Sequence, residues 1–147
     1  MGNGVKAHKR EESVGGVVIV IYTDVHVVLL KEPWRDNPKQ KCAGGGINPG
    51  EDPVKAARRE LKQETGIYIP LDNFFELLPP QGPYGKHYFF VHTTERQIRS
   101  HAEVGDDGGV VQIVRRDAVG QIPDMLAEHE LLIRLIPFIE TLRTSTK

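Results

Sequence analysis

Two glutamates in one short segment carry the clearest chemistry in the sequence. Glu60 and Glu64 lie four residues apart within the run Pro53–Thr65, and at about 100° per residue they share one helix face. Like charges at this spacing cost an isolated helix roughly 0.2–0.5 kcal/mol. A cation between the carboxylates would remove that cost, and oxygen ligands favour Mg²⁺ or Mn²⁺. The alternative is that both acids are solvated on the helix surface.

A glycine-rich loop precedes this segment and contains Gly44-Gly45-Gly46 and Pro49-Gly50. Such a loop brings backbone amides and carbonyls close to a ligand. Magnesium in proteins is commonly held by one or two carboxylates, waters and substrate phosphates. A glycine cluster alone is more often a turn, but next to the acidic segment it indicates phosphate chemistry.

The spacing of these residues resembles the Nudix box, the signature of the Nudix hydrolases. The family pattern is Gly, five residues, Glu, seven residues, then Arg-Glu-aliphatic-x-Glu-Glu-x-Gly-aliphatic. Eight of its nine specified positions match here: Gly45, Glu51, Arg59, Glu60, Leu61, Glu64, Gly66 and Ile67. The departure is Gln63, where the family has the first Glu of its Glu-Glu pair. Gln63 keeps a neutral oxygen ligand but removes one negative charge.

The resemblance implies an enzyme that hydrolyses a diphosphate linkage in a small-molecule nucleoside diphosphate derivative, by metal-assisted attack of water on phosphorus. Glu60 and Glu64 are the implied ligands of Mg²⁺ or Mn²⁺. Gln63 and the Gly44 carbonyl are the implied further ligands. The fold implied is an α/β (α+β) sandwich of the Nudix type, with a central mixed sheet between helices.

The remaining box residues are implied to shape the site rather than to touch the substrate. Glu51 and Arg59 are expected to pair and to orient the helix, although a surface salt bridge would contribute little by itself. Gly45 and Gly66 are expected to set the backbone course. Each of these roles comes from the resemblance.

The residue that removes the proton from water stays open, because members of the family differ in this respect. Glu60 is one candidate, and an acid from a distant loop is the other. A polar loop later in the chain offers Glu103, Asp106 and Asp107, of which we favour Glu103. Gln112 stands where some members carry a further metal-binding Glu.

Substrate recognition is less clear from the sequence. Trp34 is a candidate for stacking on a base and Arg35 for contacting phosphate, although a packing role is the alternative for Trp34. Pro83 and Tyr84 fall where subfamilies are told apart, and they point at once to ADP-ribose and to dinucleoside polyphosphates. We keep Tyr84 as a candidate substrate contact and leave the substrate open.

Two other functions are compatible with the sequence. Gln63 and Gln112 favour a non-hydrolytic protein of the same fold that binds a nucleotide. An interaction protein, in which the helix acids are merely solvated, is the third hypothesis.

The segment with the two glutamates has clear helix boundaries. Asp52 is a good N-cap residue, Pro53 suits the first helical position, and Gly66 suits a left-handed C-terminal cap. A second, amphipathic helix is predicted after Pro123-Asp124, because Leu132, Leu135, Ile136, Ile139 and Leu142 repeat at three and four residues. Strands are predicted at 17–22, 25–30, 73–78, 87–92 and 110–114.

Composition limits the classes of protein. The 147 residues suit one domain over 13–147 with a flexible arm at 1–12, and a net charge of −1 gives no preference for nucleic acid. A single cysteine, Cys42, fits a reducing compartment. No apolar segment suits secretion or a membrane span, so we expect a cytoplasmic protein. The residues leave the oligomeric state undecided, although homodimers occur in related proteins.

Overall fold

The structure is a computed structural model, which describes residues 14–77 and 85–145. The arm predicted at 1–12 and the candidate substrate contact Tyr84 lie outside the described residues. Within them the central feature is a seven-stranded sheet with order β3-β2-β1-β6-β5, in which β4 also pairs with β1, and β7 with β2. The strands are β1 (Gly16–Tyr22), β2 (His26–Lys31), β3 (Gln40–Lys41), β4 (Ala43–Gly46), β5 (Phe75–Glu76), β6 (Lys86–His92) and β7 (Val110–Arg115).

The sheet is mixed, as predicted. The β1–β6 pair is parallel, whereas β1 runs antiparallel to β2 and β4, and β2 antiparallel to β3 and β7. The turn between β1 and β2 is held by Thr23, whose hydroxyl oxygen accepts from the amides of Val25 and His26. This arrangement places the glycine run of β4 beside the start of β1.

Helices cover both faces of the sheet, which confirms the predicted sandwich. They are α1 (Pro53–Thr65), α2 (Glu95–Ile98), α3 (Ala127–Arg134) and α4 (Ile136–Ser145). Alternate residues of β1 point to opposite faces, as the two-residue period of a strand requires. Ile19 and Ile21 pack with α1 in one core, while Val18 and Val20 pack with α3 and α4 in the other.

Helix α1 has the predicted boundaries. The Asp52 side chain accepts a hydrogen bond from the amide of Val54, and Pro53 takes the first position. Gly66 closes the helix at φ +78°, in the left-handed region where only glycine is unstrained. Ala57 and Leu61 are fully buried against the sheet. At about 100° per residue, Glu60 and Glu64 lie on the adjacent face of α1, where Glu64 is also buried.

The prediction of one continuous helix at the end of the chain is wrong. The segment is divided into α3 and α4 at Leu135. Pro137 explains the break, because proline has no N–H to donate to the carbonyl of Ile133 and its ring crowds that carbonyl. The apolar repeat is still buried at Leu132, Ile136 and Ile139.

Several short elements also differ from the predicted ones. The glycine run forms β4, for which no strand is predicted, and the strand expected at 73–78 is limited to Phe75–Glu76 after a 3₁₀ turn at Leu71–Asn73. The short α2 and a 3₁₀ turn at Arg116–Gln121 are not predicted either. Within the described ranges, no helix combines the length and the apolar character needed to cross a membrane.

Candidate active site on the acidic face of helix α1

Arg59 connects the glycine-rich loop to α1. Its Nε and Nη2 donate to the two Glu51 carboxylate oxygens at 2.9 Å, and Nη2 also donates to the Gly46 carbonyl at 2.9 Å. Its Nη1 donates to Glu60 at 3.0 Å. Glu51 in turn accepts from the amide of Asn48. Hydrogen bonds from Arg59 hold the pKa of the Glu51 carboxyl below its ordinary value, so this pair stays charged and fixes the loop against the helix.

The Arg59→Lys variant should lose about tenfold in turnover. A lysine keeps the charge but cannot replace a planar fork that reaches Glu51, Gly46 and Glu60 together, and losing such a supporting contact commonly costs 10–100-fold. Steady-state kinetics with Arg58→Lys as the control would measure this effect, since Arg58 contacts the exposed Tyr68 instead. Equal turnover of the two variants would contradict a role for the fork.

The two helix glutamates both face the glycine run. Glu64 is 8% exposed, and its Oε1 accepts from the Gly44 amide at 2.8 Å. The Glu60 carboxylate lies so close to Gly45 that a Cβ on that glycine would overlap it, which explains a residue without a side chain at this position. Both glutamates therefore contact the glycine run, Glu64 at the Gly44 amide and Glu60 at Gly45.

Burial and mutual repulsion disfavour the charged forms of both carboxyls. Burial is the largest cause that raises the pKa of the Glu64 carboxyl to about 8; the Gly44 amide opposes the shift, while the charges of Glu60 and Asp107 add to it. Burial likewise raises the pKa of Glu60, against the lowering effect of Arg59. A positive ion placed here would relieve both effects.

Two acids from other parts of the chain complete the pocket. One carboxylate oxygen each from Glu32, Glu64 and Asp107 lie within 4.8 Å of one another. We call these three side chains the carboxylate group. Glu32 follows β2, Glu64 is in the last turn of α1, and Asp107 is in the loop before β7. All of these donors are oxygens, the type that hard divalent cations bind.

Glu32 is itself held by two basic residues. Its Oε1 accepts from Arg35 and its Oε2 lies 3.1 Å from the Lys41 ammonium. Burial alone would raise the pKa of the Glu32 carboxyl, but hydrogen bonds and charges from Arg35 and Lys41 hold it below its ordinary value. The pocket thus has both negative and positive groups at one edge, as a site for a cation and a phosphate requires.

The loop that carries Asp107 is docked on the C-terminal end of α1. The Ala102 amide donates to the Thr65 carbonyl at 2.8 Å, and the Asp106 amide donates to the Gln63 carbonyl at 2.9 Å. These bonds satisfy carbonyls that a helix end leaves without intrahelical partners. The same bonds place Asp107 next to Glu64.

Of the other predicted site residues, Trp34 lies next to a member of the carboxylate group, whereas Glu103 and Gln112 are not part of that group. Trp34 is 48% exposed, and its ring packs over Gly108, next to Asp107. Glu103 is exposed, and its backbone carbonyl accepts from the amide of Val111. Gln112 lies within β7, opposite Leu29 of β2. The carboxylate group includes Asp107 rather than Glu103, so the loop acid that we favour in the sequence is not the one beside Glu64.

A buried histidine supports the same glycine run from the other face of the sheet. His129 of α3 is 6% exposed, and its Nδ1 accepts from the Cys42 amide at 2.9 Å. Burial lowers the pKa of His129 to about 4; Glu128 opposes this shift, and Lys41 and Lys86 add to it. Neutral His129 therefore holds the chain two residues before Gly44.

The contribution of His129 to stability should be lost between about pH 6.5 and pH 4, so His129→Gln should gain stability relative to the wild type as the pH falls through this range. The unfolded histidine takes up a proton near its ordinary value of 6.5, whereas folded His129 resists protonation down to about 4, so acid favours unfolding. The shift corresponds to roughly 3 kcal/mol. Urea unfolding across this pH range would measure it, with His101→Gln as the control; equal acid losses in wild type and His129→Gln would contradict it.

A family comparison decides the identity of the chain. The model of the NUDIX domain matches residues 13–136. The chain belongs to the Nudix family. This finding confirms the resemblance based on the box, and the helix with its acidic face is the Nudix helix of this protein.

Solved structures show the same fold. The chain is similar to a structure from a study of MutT from Aliivibrio salmonicida and Vibrio cholerae, with a TM-score of 0.67, 16% identity and coverage of 84% of this chain and 95% of the other. A NUDIX-family hydrolase from Clostridium perfringens gives a TM-score of 0.59 and 14% identity over 82% and 93%. A MutT/nudix family protein from Enterococcus faecalis gives 0.55 and 22% over 70% and 44%. None of the curated proteins compared with the chain matches it.

Sequence reasoning missed Glu32 as a member of the site. The signal available was its position: a lone acid directly after the buried strand β2, and before the candidates Trp34 and Arg35. Lys41 was missed as well, although it lies just before the glycine run. Nothing in the spacing along the chain relates either residue to α1.

Proposed function

We propose that this Nudix protein hydrolyses a diphosphate linkage in a nucleoside diphosphate derivative, with Mg²⁺ or Mn²⁺ held by the acids of α1. The observation that carries the proposal is the buried Glu64 carboxylate beside Glu60, Asp107 and Glu32. Uncompensated burial of such acids is costly, and a divalent cation compensates it. Family membership supports a Nudix hydrolase in general.

The residues present fit such a cation by their chemistry. Glu60, Glu64 and Asp107 offer carboxylate oxygens, and Gln63 and the Gly44 carbonyl, implied by the resemblance, would add neutral oxygens. When bound, the cation neutralises the phosphoryl oxygens and makes a bound water more acidic.

The chain's own residues do the remaining work in this proposal. Arg35 and Lys41 lie at the edge of the carboxylate group, where they are suited to bind the oxygens of a diphosphate. The exposed ring of Trp34 is suited to stack on a base.

Proton removal from the attacking water is assigned to Glu60 or to an acid of the docked loop. Among the loop acids we now favour Asp107, because it lies beside Glu64. Glu103 is exposed and stays a weaker candidate.

A substrate screen tests the proposal. Purified protein would be incubated with nucleotide sugars, dinucleotides, dinucleoside polyphosphates and nucleoside triphosphates in H₂¹⁸O with Mg²⁺, and products would be analysed by mass spectrometry. We expect cleavage of at least one diphosphate linkage, ¹⁸O in a phosphate of the product, and loss of activity with EDTA. No turnover by folded protein that binds Mg²⁺ would overturn the hydrolytic function.

Gln63 favours a second function, binding of a nucleotide without cleavage, because it removes one negative charge from the box. The same screen distinguishes the two, since a sensor would bind a nucleotide without forming products. Turnover gained only in Gln63→Glu would support the second function. The proposal also places the protein in the cytoplasm, and it leaves open whether two copies of the chain associate.

A further inference from the structure

Glu32 is an acid of the site that lies outside the Nudix box. It directly follows β2, and its side chain is about one-tenth exposed. One of its oxygens is within 4.8 Å of ligand atoms of both Glu64 and Asp107. The fold therefore brings a carboxylate from the far side of the pocket to face the last turn of α1.

The box of this chain has one negative charge fewer than the family pattern. Gln63 stands where that pattern has Glu, and an amide oxygen binds a divalent cation more weakly than a carboxylate does. Gln63 also anchors the docked loop, since its backbone carbonyl accepts a hydrogen bond from the Asp106 amide. The position keeps its place in the fold while its side chain lacks the charge.

We propose that Glu32 supplies, from the end of β2, the negative charge that the box lacks at Gln63, so that the cation of the site is held between β2 and the Nudix helix. The proposal rests on the cation of the proposed function. It assigns Glu32 as a ligand, with Glu64 and Asp107 as the neighbouring acids.

Pairing with Arg35 and Lys41 does not by itself explain where Glu32 lies. A counter-ion for two surface cations needs no place beside two further carboxylates, because they repel it. A carboxylate oxygen that accepts from Lys41 keeps a second lone pair, so Glu32 can hold Lys41 and a cation together. In this arrangement Glu32 also fixes Lys41 next to the cation, where a phosphate oxygen would meet both.

Binding of Mn²⁺, measured by electron paramagnetic resonance of the free ion, tests the proposal without any substrate. The proteins would be wild type, Glu32→Gln, Glu32→Gln/Gln63→Glu and Glu32→Gln/Lys41→Met. The control is Asp117→Asn, which removes one acid from an exposed pair with Arg115. The shift in Tm caused by Mg²⁺ gives a second readout.

We expect Glu32→Gln to weaken Mn²⁺ binding at least tenfold, and Asp117→Asn to leave it unchanged. Adding Gln63→Glu should restore most of the affinity. Adding Lys41→Met should not, because it removes the unpaired ammonium but returns no ligand. If Glu32 merely neutralises Lys41, the variant Glu32→Gln/Lys41→Met would bind Mn²⁺ as the wild type does, and this result would overturn the proposal.

The remaining outcomes separate this inference from the proposed function. Unchanged Mn²⁺ binding by Glu32→Gln overturns the inference alone. A wild-type protein that binds no Mn²⁺ overturns both the inference and the metal-dependent hydrolysis. If Glu32→Gln fails to fold, Glu32→Gln/Lys41→Met, which removes both charges of the pair, replaces it in the comparison.

Discussion

Glu64→Gln should lower diphosphate hydrolysis by at least about a hundredfold while the fold is retained. Glu64 is the acid of α1 that is buried in the carboxylate group, and a neutral amide there removes most of its attraction for a cation. The amide oxygen of Gln keeps the shape of the side chain and an acceptor for the Gly44 amide. Initial rates at saturating Mg²⁺ would give the loss, and circular dichroism would confirm the fold.

The same variant should be more stable than the cation-free wild type above neutral pH. Because the folded pKa of Glu64 is raised from 4.5 to about 8, the folded protein holds a proton that the unfolded chain has released. The contribution of Glu64 to the stability of the wild type therefore falls as pH rises from about 4.5 to 8, and it falls no further above that range. Glutamine does not titrate, so Glu64→Gln should not show this loss of stability as pH rises.

Two comparisons make the Glu64 result specific. Glu130→Gln removes an acid that is paired with Arg134 on α3, and it should change neither turnover nor the pH dependence. With Mg²⁺ present, the wild type should become the more stable of the two proteins, because a ligand that binds only the folded state stabilises that state. Retention of a third or more of wild-type turnover in Glu64→Gln would be incompatible with Glu64 as a ligand.

The Nudix helix and its acidic face follow from local signals. Asp52, Pro53 and Gly66 set the ends of α1 through capping. The three-and-four spacing of Val54, Ala57 and Leu61 fixes which side packs on the sheet. Local periodicity therefore predicts which way the glutamates point. The same reasoning failed for the final helix, where apolar periodicity was given more weight than Pro137.

The rest of the site depends on contacts between distant parts of the chain. Glu32, Glu64 and Asp107 meet only because β2 pairs with β7 and because the loop before β7 binds the end of α1. No periodicity or capping signal relates these three positions. Choosing Glu103 over Asp107 from the sequence had no such geometric basis, since the choice depends on how the loop is docked.

Gly105→Ala should reduce turnover about a hundredfold and destabilise the protein by about 1–3 kcal/mol. A Cβ at this position would overlap the Glu64 carbonyl oxygen and lie 2.9 Å from its carbonyl carbon, both of which are backbone atoms that cannot turn away. The loop must therefore move off the end of α1. Its bond from Asp106 to the Gln63 carbonyl then weakens, and Asp107 leaves its place beside Glu64.

Measurement of kcat, Mn²⁺ affinity and Tm would test this account of Gly105. The control is Gly120→Ala, whose added Cβ meets the end of the flexible Arg134 side chain at 3.1 Å, so it should change none of the three strongly. Gly105→Ala should instead lose Mn²⁺ affinity together with turnover, because Asp107 and Glu64 would no longer share the carboxylate group. A variant that loses only Tm would show that docking of the loop stabilises the fold without positioning the acids.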